Sequence, residues 1–89
     1  MFMEIEAIAP VIREFLARNF LFSDQGFGYA DDASLLGEGI IDSLGIIELV
    51  AFVEKQFGIA VRDQELLPGN FDSVSKLSAF VHGKFTDAG

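Results

Sequence analysis

Apolar residues recur at helical spacing in three stretches of this chain, and sustained alternation with a period of two is absent. Ile5, Ile8, Ile12, Phe15 and Leu16 form the first stripe, with Glu6, Arg13 and Arg18 mostly on the other face. That spacing predicts a helix over about 4–19, with residue 3 at its edge. Pro10 interrupts it, because proline removes one hydrogen bond and crowds the preceding turn. A helix from about residue 4 with a local bend is expected; the alternative starts near Ala9 and puts Pro10 in its first turn. Ile46, Leu49, Val50, Val53 and Phe57 predict a second helix over 43–57, stopped by Gly58. Leu44, Ile47 and Ala51 give that helix a second apolar stripe, beside Glu48. It is either buried under a loop or a surface for partners. Val74, Leu77, Phe80, Val81 and Phe85 predict a last helix over 73–85, capped by Asp72 or Ser73. Before it, Ile59-Ala60-Val61 reads as extended. Residues 63–67 read as one short helical turn, stopped by Pro68-Gly69. The tail over 86–89 should fray.

Residues 20–41 form a long connection. Gly26, Gly28, Gly37 and Gly39, with Asp24, Asp31, Asp32 and Ser34, mark turns. Asp31 to Ser34 can form one helical turn. Phe20, Leu21, Phe22, Phe27, Tyr29, Leu35, Leu36, Ile40 and Ile41 are too apolar for a loose linker, so the loop should wrap over the helices and bury some of them. Loops this long in small domains usually carry function. The architecture expected is all-α: a three-to-four-helix bundle with a long first loop, in one domain spanning residues 1–89.

Composition narrows the function. Hydrophobic residues make up 51% of the chain, too many for disorder. There is no cysteine, so any thiol the function needs must be brought in. The formal charge of -8 disfavours nucleic acid as a partner. Charges break every apolar run before membrane-spanning length, and Glu4 and Glu6 stand where a secretory signal would be basic. A cytoplasmic monomer, not an integral membrane protein, is the expectation. No Lys or Arg lies between Arg18 and Lys55, while Asp24, Asp31, Asp32, Glu38, Asp42, Glu48 and Glu54 do. This is either a solubilising surface or a docking face for basic patches.

Several sites can be tested and set aside. Gly26-Phe27-Gly28 and Gly37-Glu38-Gly39 lack the third glycine of a nucleotide loop. Asp24 opens no EF-hand, because Gly26 and Gly28 replace ligands and Leu35 replaces the bidentate glutamate. The only histidine, His82, lies far along the chain, and no metal constellation is present. Asp42-Ser43 at a helix start is first of all a cap. A phosphate ester on Ser43 would also lie at the positive end of the helix dipole, which favours an anion by roughly 0.3–1 kcal/mol.

Gly39-x-x-Asp42-Ser43-Leu44-Gly45-x-x-Glu48-Leu49-Val50, followed by Glu54 and Phe57-Gly58, resembles the phosphopantetheine attachment segment of acyl carrier proteins. The resemblance runs from the first helix to Asn70-Phe71-Asp72-Ser73-Val74. It implies covalent 4′-phosphopantetheine on Ser43, with Asp42, Leu44 and Gly45 beside it. It implies a partner face of Leu44, Ile47, Glu48, Ala51 and Glu54. The partners it implies are a phosphopantetheinyl transferase with coenzyme A, an acyl- or aminoacyl-loading ligase, and an acyl-accepting synthase or transferase. Fatty-acid, polyketide, nonribosomal-peptide and aminoacyl-carrier chemistry all use such carriers, which are not themselves enzymes. Gly45 stands where the fatty-acid branch is usually acidic, and looks more like aminoacyl, D-alanyl or nonribosomal-peptide carriers. A glycine inside a helix costs roughly 1 kcal/mol, so it needs a reason: tight packing, or close approach of the arm or the attaching enzyme. Two other readings remain, an acidic helical interaction module and a small hydrolase using Ser43, His82 and Asp42. Adjacent Asp and Ser on one helix end do not supply triad geometry.

Overall fold

Ile8, Ile12 and Leu16 are spaced four apart, so one face of the first helix is apolar from end to end, and all three are fully buried. The computed structural model describes residues 4–86, and among these every regular element is helical. The start expected at residue 3 and the fraying expected over 87–89 lie outside the described residues; residue 86 still belongs to the last helix. Helix α1 covers Ile5–Leu16. It therefore takes the earlier of the two starts, and carries Pro10 on its exposed side. The helix does not stop at Asn19. It continues as a π-helical turn, Ala17–Leu21, closed by Phe22 in the left-handed region at φ 51°. Phe20 and Leu21 therefore belong to the helix, not to the loop.

Helix α2 covers Ser43–Phe57. It buries Leu49, Val53 and Phe57, with Ile46 and Val50 partly buried against the same core. Phe52 stacks on Phe15 of α1 at 3.9 Å between centroids. Gly58, at φ 67°, ends the helix and donates its N–H to the Glu54 carbonyl. A 3-10 turn, Asp63–Glu65, precedes helix α3, Pro68–Phe71. The 3-10 turn lies within the 63–67 turn expected, and Pro68-Gly69 opens a further short helix. Pro68 is its first residue, where a missing N–H costs nothing. Helix α4 covers Val74–Thr86 and packs Val74, Leu77 and Val81 into the core. Its start is capped by Ser73, whose Oγ accepts the Lys76 N–H at 3.0 Å.

Asp72 has a different task. Its carboxylate accepts the Ser34 hydroxyl at 2.6 Å and the Leu36 N–H at 2.9 Å, and its carbonyl accepts the Leu35 N–H. Asp31 pairs through both carboxylate oxygens with Arg13 of α1, and its carbonyl accepts the Ser75 N–H of α4. These bonds pin the long loop over the bundle, while Phe27, Leu35, Ile40 and Ile41 enter the core. Residues 30–33 make a hydrogen-bonded turn and not the helical turn expected there.

Burial pushes the Asp72 carboxyl up, but the bonds from Ser34 and Leu36, with the charge of Lys76, outweigh it and hold it below its ordinary value. Glu65 is also held down, first by the bond from Lys84 Nζ at 2.7 Å and then by the Arg62 N–H. A carboxylate with a lowered folded pKa stabilises the fold above its unfolded pKa, and that stabilisation is lost as pH falls through the folded value. Melting temperature should therefore fall on acidification below about pH 4. The slope should be shallower in Asp72→Asn, which cannot titrate; equal slopes would remove Asp72 from this account.

Candidate functional site

The pinned loop ends in Ile40 and Ile41, both buried, and hands the chain to α2 at Asp42. Asp42 is extended (φ -110°, ψ -175°) and is the cap: its Oδ1 accepts the Gly45 N–H at 2.8 Å. Its carbonyl accepts the Ile46 N–H. The cap is thus complete without Ser43. Ser43 is the first helical residue, exposed, and among the described residues its hydroxyl has no hydrogen-bond partner. Its N–H and that of Leu44 have no acceptor one turn back, as in any first helical turn. An exposed, unengaged hydroxyl at the positive end of a 15-residue helix fits a phosphodiester.

Gly45 is explained by packing. It is buried, and a Cβ there would meet the Ile41 side chain and stand 2.9 Å from Phe20 Cε1. The glycine is bare because Phe20 and Ile41 fill its side-chain space, so no approach of a bound arm is needed to account for it.

Ser43 and Leu36 stand on a divide between two concavities. One is an apolar cleft of about 230 Å³, walled by Ile46, Leu66, Leu67 and Phe71. The other is a wider groove of about 630 Å³ on the loop side, with Phe20, Ile40, Ile41 and Leu44 along it and Glu48 and Asp42 at its edge. Among the described residues neither lining includes His82, so the set of Ser43, His82 and Asp42 is not gathered there. No group of His, Cys, Asp and Glu among them can hold a metal.

The second stripe of α2 is exposed: Leu44 at 73% and Ile47 at 66%, with Glu48 and Ala51 beside them. Glu54 follows Ile47 by two turns, on nearly the same side of the helix, but its carboxylate is engaged elsewhere. It is partly buried, and its Oε2 accepts the Val61 N–H at 2.9 Å, tying the end of α2 to the segment that follows. Sequence reasoning missed Leu36, Leu66 and Leu67, which are also exposed and border the site. An unbroken Leu-Leu pair just before Pro-Gly was the available signal.

Among the described residues no helix is long and apolar enough to cross a membrane. A family model described as the phosphopantetheine attachment site matches residues 10–81. No curated protein matches the chain.

Proposed function

The chain belongs to the phosphopantetheine attachment-site family, and from that premise we propose that Ser43 is the attachment residue. Membership makes the chain a carrier with covalent 4′-phosphopantetheine; the residue, the cargo and the partners are our reading. The observation that carries it is the division of labour at the start of α2. Asp42 caps the helix, which leaves the Ser43 hydroxyl exposed and free to be esterified. When bound, the group supplies the thiol that this cysteine-free chain lacks, and holds acyl or aminoacyl cargo as a thioester. Residues 1–89 then act as one carrier domain. Leu44, Ile47, Glu48 and Ala51, joined by Leu36, Leu66 and Leu67, form the surface that a transferase, a loading ligase and an acceptor synthase would cover. Catalysis is left to those partners. Intact mass after incubation with a phosphopantetheinyl transferase and coenzyme A tests the reading. An acidic module or a hydrolase would stay unmodified.

Glu48 lies little more than one turn from Ser43 and is exposed. Its main effect should be on encounter, since exposed charges act over about 8–10 Å at physiological salt. Glu48→Lys should lower the transferase's second-order rate on the order of two- to tenfold, with little change in melting. The gap should narrow near 1 M salt. Equal rates for both proteins at low salt would leave recognition to the apolar surface.

A further inference from the structure

The π-helical turn Ala17–Leu21, the bare Gly45 and the wide groove beside Ser43 meet in one place. The turn closes α1 with Phe22 in the left-handed region, a common way for a helix to end. It ends α1 so that Phe20 reaches across to α2 and rests on Gly45, where a Cβ would stand 2.9 Å from the ring and closer still to Ile41. The Phe20 ring also meets Phe15 edge-on, 5.8 Å between centroids, which fixes it from the other side. Phe20 is only partly buried, and what remains exposed lines the groove that Ser43 shares.

We propose that this loop-side groove is the resting seat of the pantetheine arm, with the Phe20 ring as its floor. The proposal rests on Ser43 as the attachment residue. Beyond its phosphate the arm begins with a branched dimethyl segment, and the groove that Ser43 lines offers it Phe20, Ile40 and Leu44 as apolar surface. The two amides that follow bear N–H groups, and Glu48, which lines the groove, carries an acceptor for them. The α3-side cleft, which Ser43 also lines, is the competing berth. Tethering makes weak contacts sufficient, because the arm is held at high effective concentration over the groove. Gly45 leaves room for Phe20 and Ile41, both of which line the groove.

Proton NMR of the modified protein tests this without any partner enzyme. Intact mass first establishes that the arm is on; a parent that stays unmodified would sink the attachment reading, a different failure from any below. The expected result is a set of nuclear Overhauser contacts between the arm's dimethyl protons and the Phe20 ring, with an upfield ring-current shift of those methyls. Phe20→Leu should lose the shift, and Phe20→Tyr should keep it. Contacts to Leu67 and Phe71 instead would put the arm in the α3-side cleft and overturn the proposal. Unshifted methyls with no protein contacts would overturn it equally. Both readings come from the unsubstituted protein, so they stand even if a Phe20 variant folds poorly.

Discussion

Ser43→Ala should abolish the gain of one phosphopantetheine entirely and leave the fold intact. The two halves of that expectation have separate causes. Loss of modification follows because only a hydroxyl at this place can be esterified. Retention of the fold follows because the cap belongs to its neighbour, Asp42, whose Oδ1 takes the Gly45 N–H. Taken as a cap, Ser43 would cost on the order of 1 kcal/mol on removal. As the first helical residue with a free hydroxyl, it should cost close to nothing, since alanine is the better helix former. Asp42→Ala supplies the contrast. It should lose about 1 kcal/mol of stability, which in a domain this size lowers melting by roughly 4–8 °C, while the serine remains available. Intact mass and thermal melting of the two variants separate the roles. A Ser43→Ala protein that still gains the mass would move the attachment elsewhere. A Ser43→Ala protein that melts like Asp42→Ala would return Ser43 to the cap.

Periodicity carried much of the fold because each long helix buries a stripe at its own spacing. Ile8, Ile12 and Leu16, then Leu49, Val53 and Phe57, then Val74, Leu77 and Val81, are visible in the residues alone and are buried together. What stayed hidden depends on contacts between distant segments. The π-helical turn keeps the composition of an α-helix and differs only in which carbonyl each N–H finds. Pro68-Gly69 is equally good chemistry for ending a turn and for starting a helix, and only the path into α4 decides. Asp72 and Ser73 are both cap residues; Ser73 took the cap, and Asp72 reached back to Ser34 and Leu36. Glu54 looked like one more surface acid until the turn after Gly58 brought the Val61 N–H against it. The helix start at Asp42-Ser43 was legible, because local chemistry fixes it; which of the two is the cap was not. For Gly45 tight packing was one of two open readings; Ile41 lies four residues before it, but Phe20 is 25 residues away in the chain and arrives by a turn that periodicity does not show.

Leu49→Ala and Ile47→Ala, two residues apart on one helix, should differ in kind. Leu49 is fully buried in the core cluster, so truncation removes its transfer free energy and leaves a cavity the core closes only in part. Such changes cost about 2–5 kcal/mol, against a total of about 5–15 kcal/mol for a native domain. Melting should fall by 10 °C or more on the order-of-magnitude scaling for this size, and some of the protein should be unfolded at working temperature. Ile47 is 66% exposed, and alanine is the better helix former, so its loss should leave melting unchanged or slightly raised. Its effect should fall instead on partners. An exposed isoleucine beside the attachment serine is the kind of apolar anchor that becomes desolvated when an enzyme docks. Losing roughly 1.4 kcal/mol there would slow modification or cargo transfer about tenfold at subsaturating enzyme. Melting curves and second-order transfer rates for both variants check the pair. If Ile47→Ala transfers at the parental rate, partners dock elsewhere, and Leu66→Ala and Leu67→Ala become the next positions to measure.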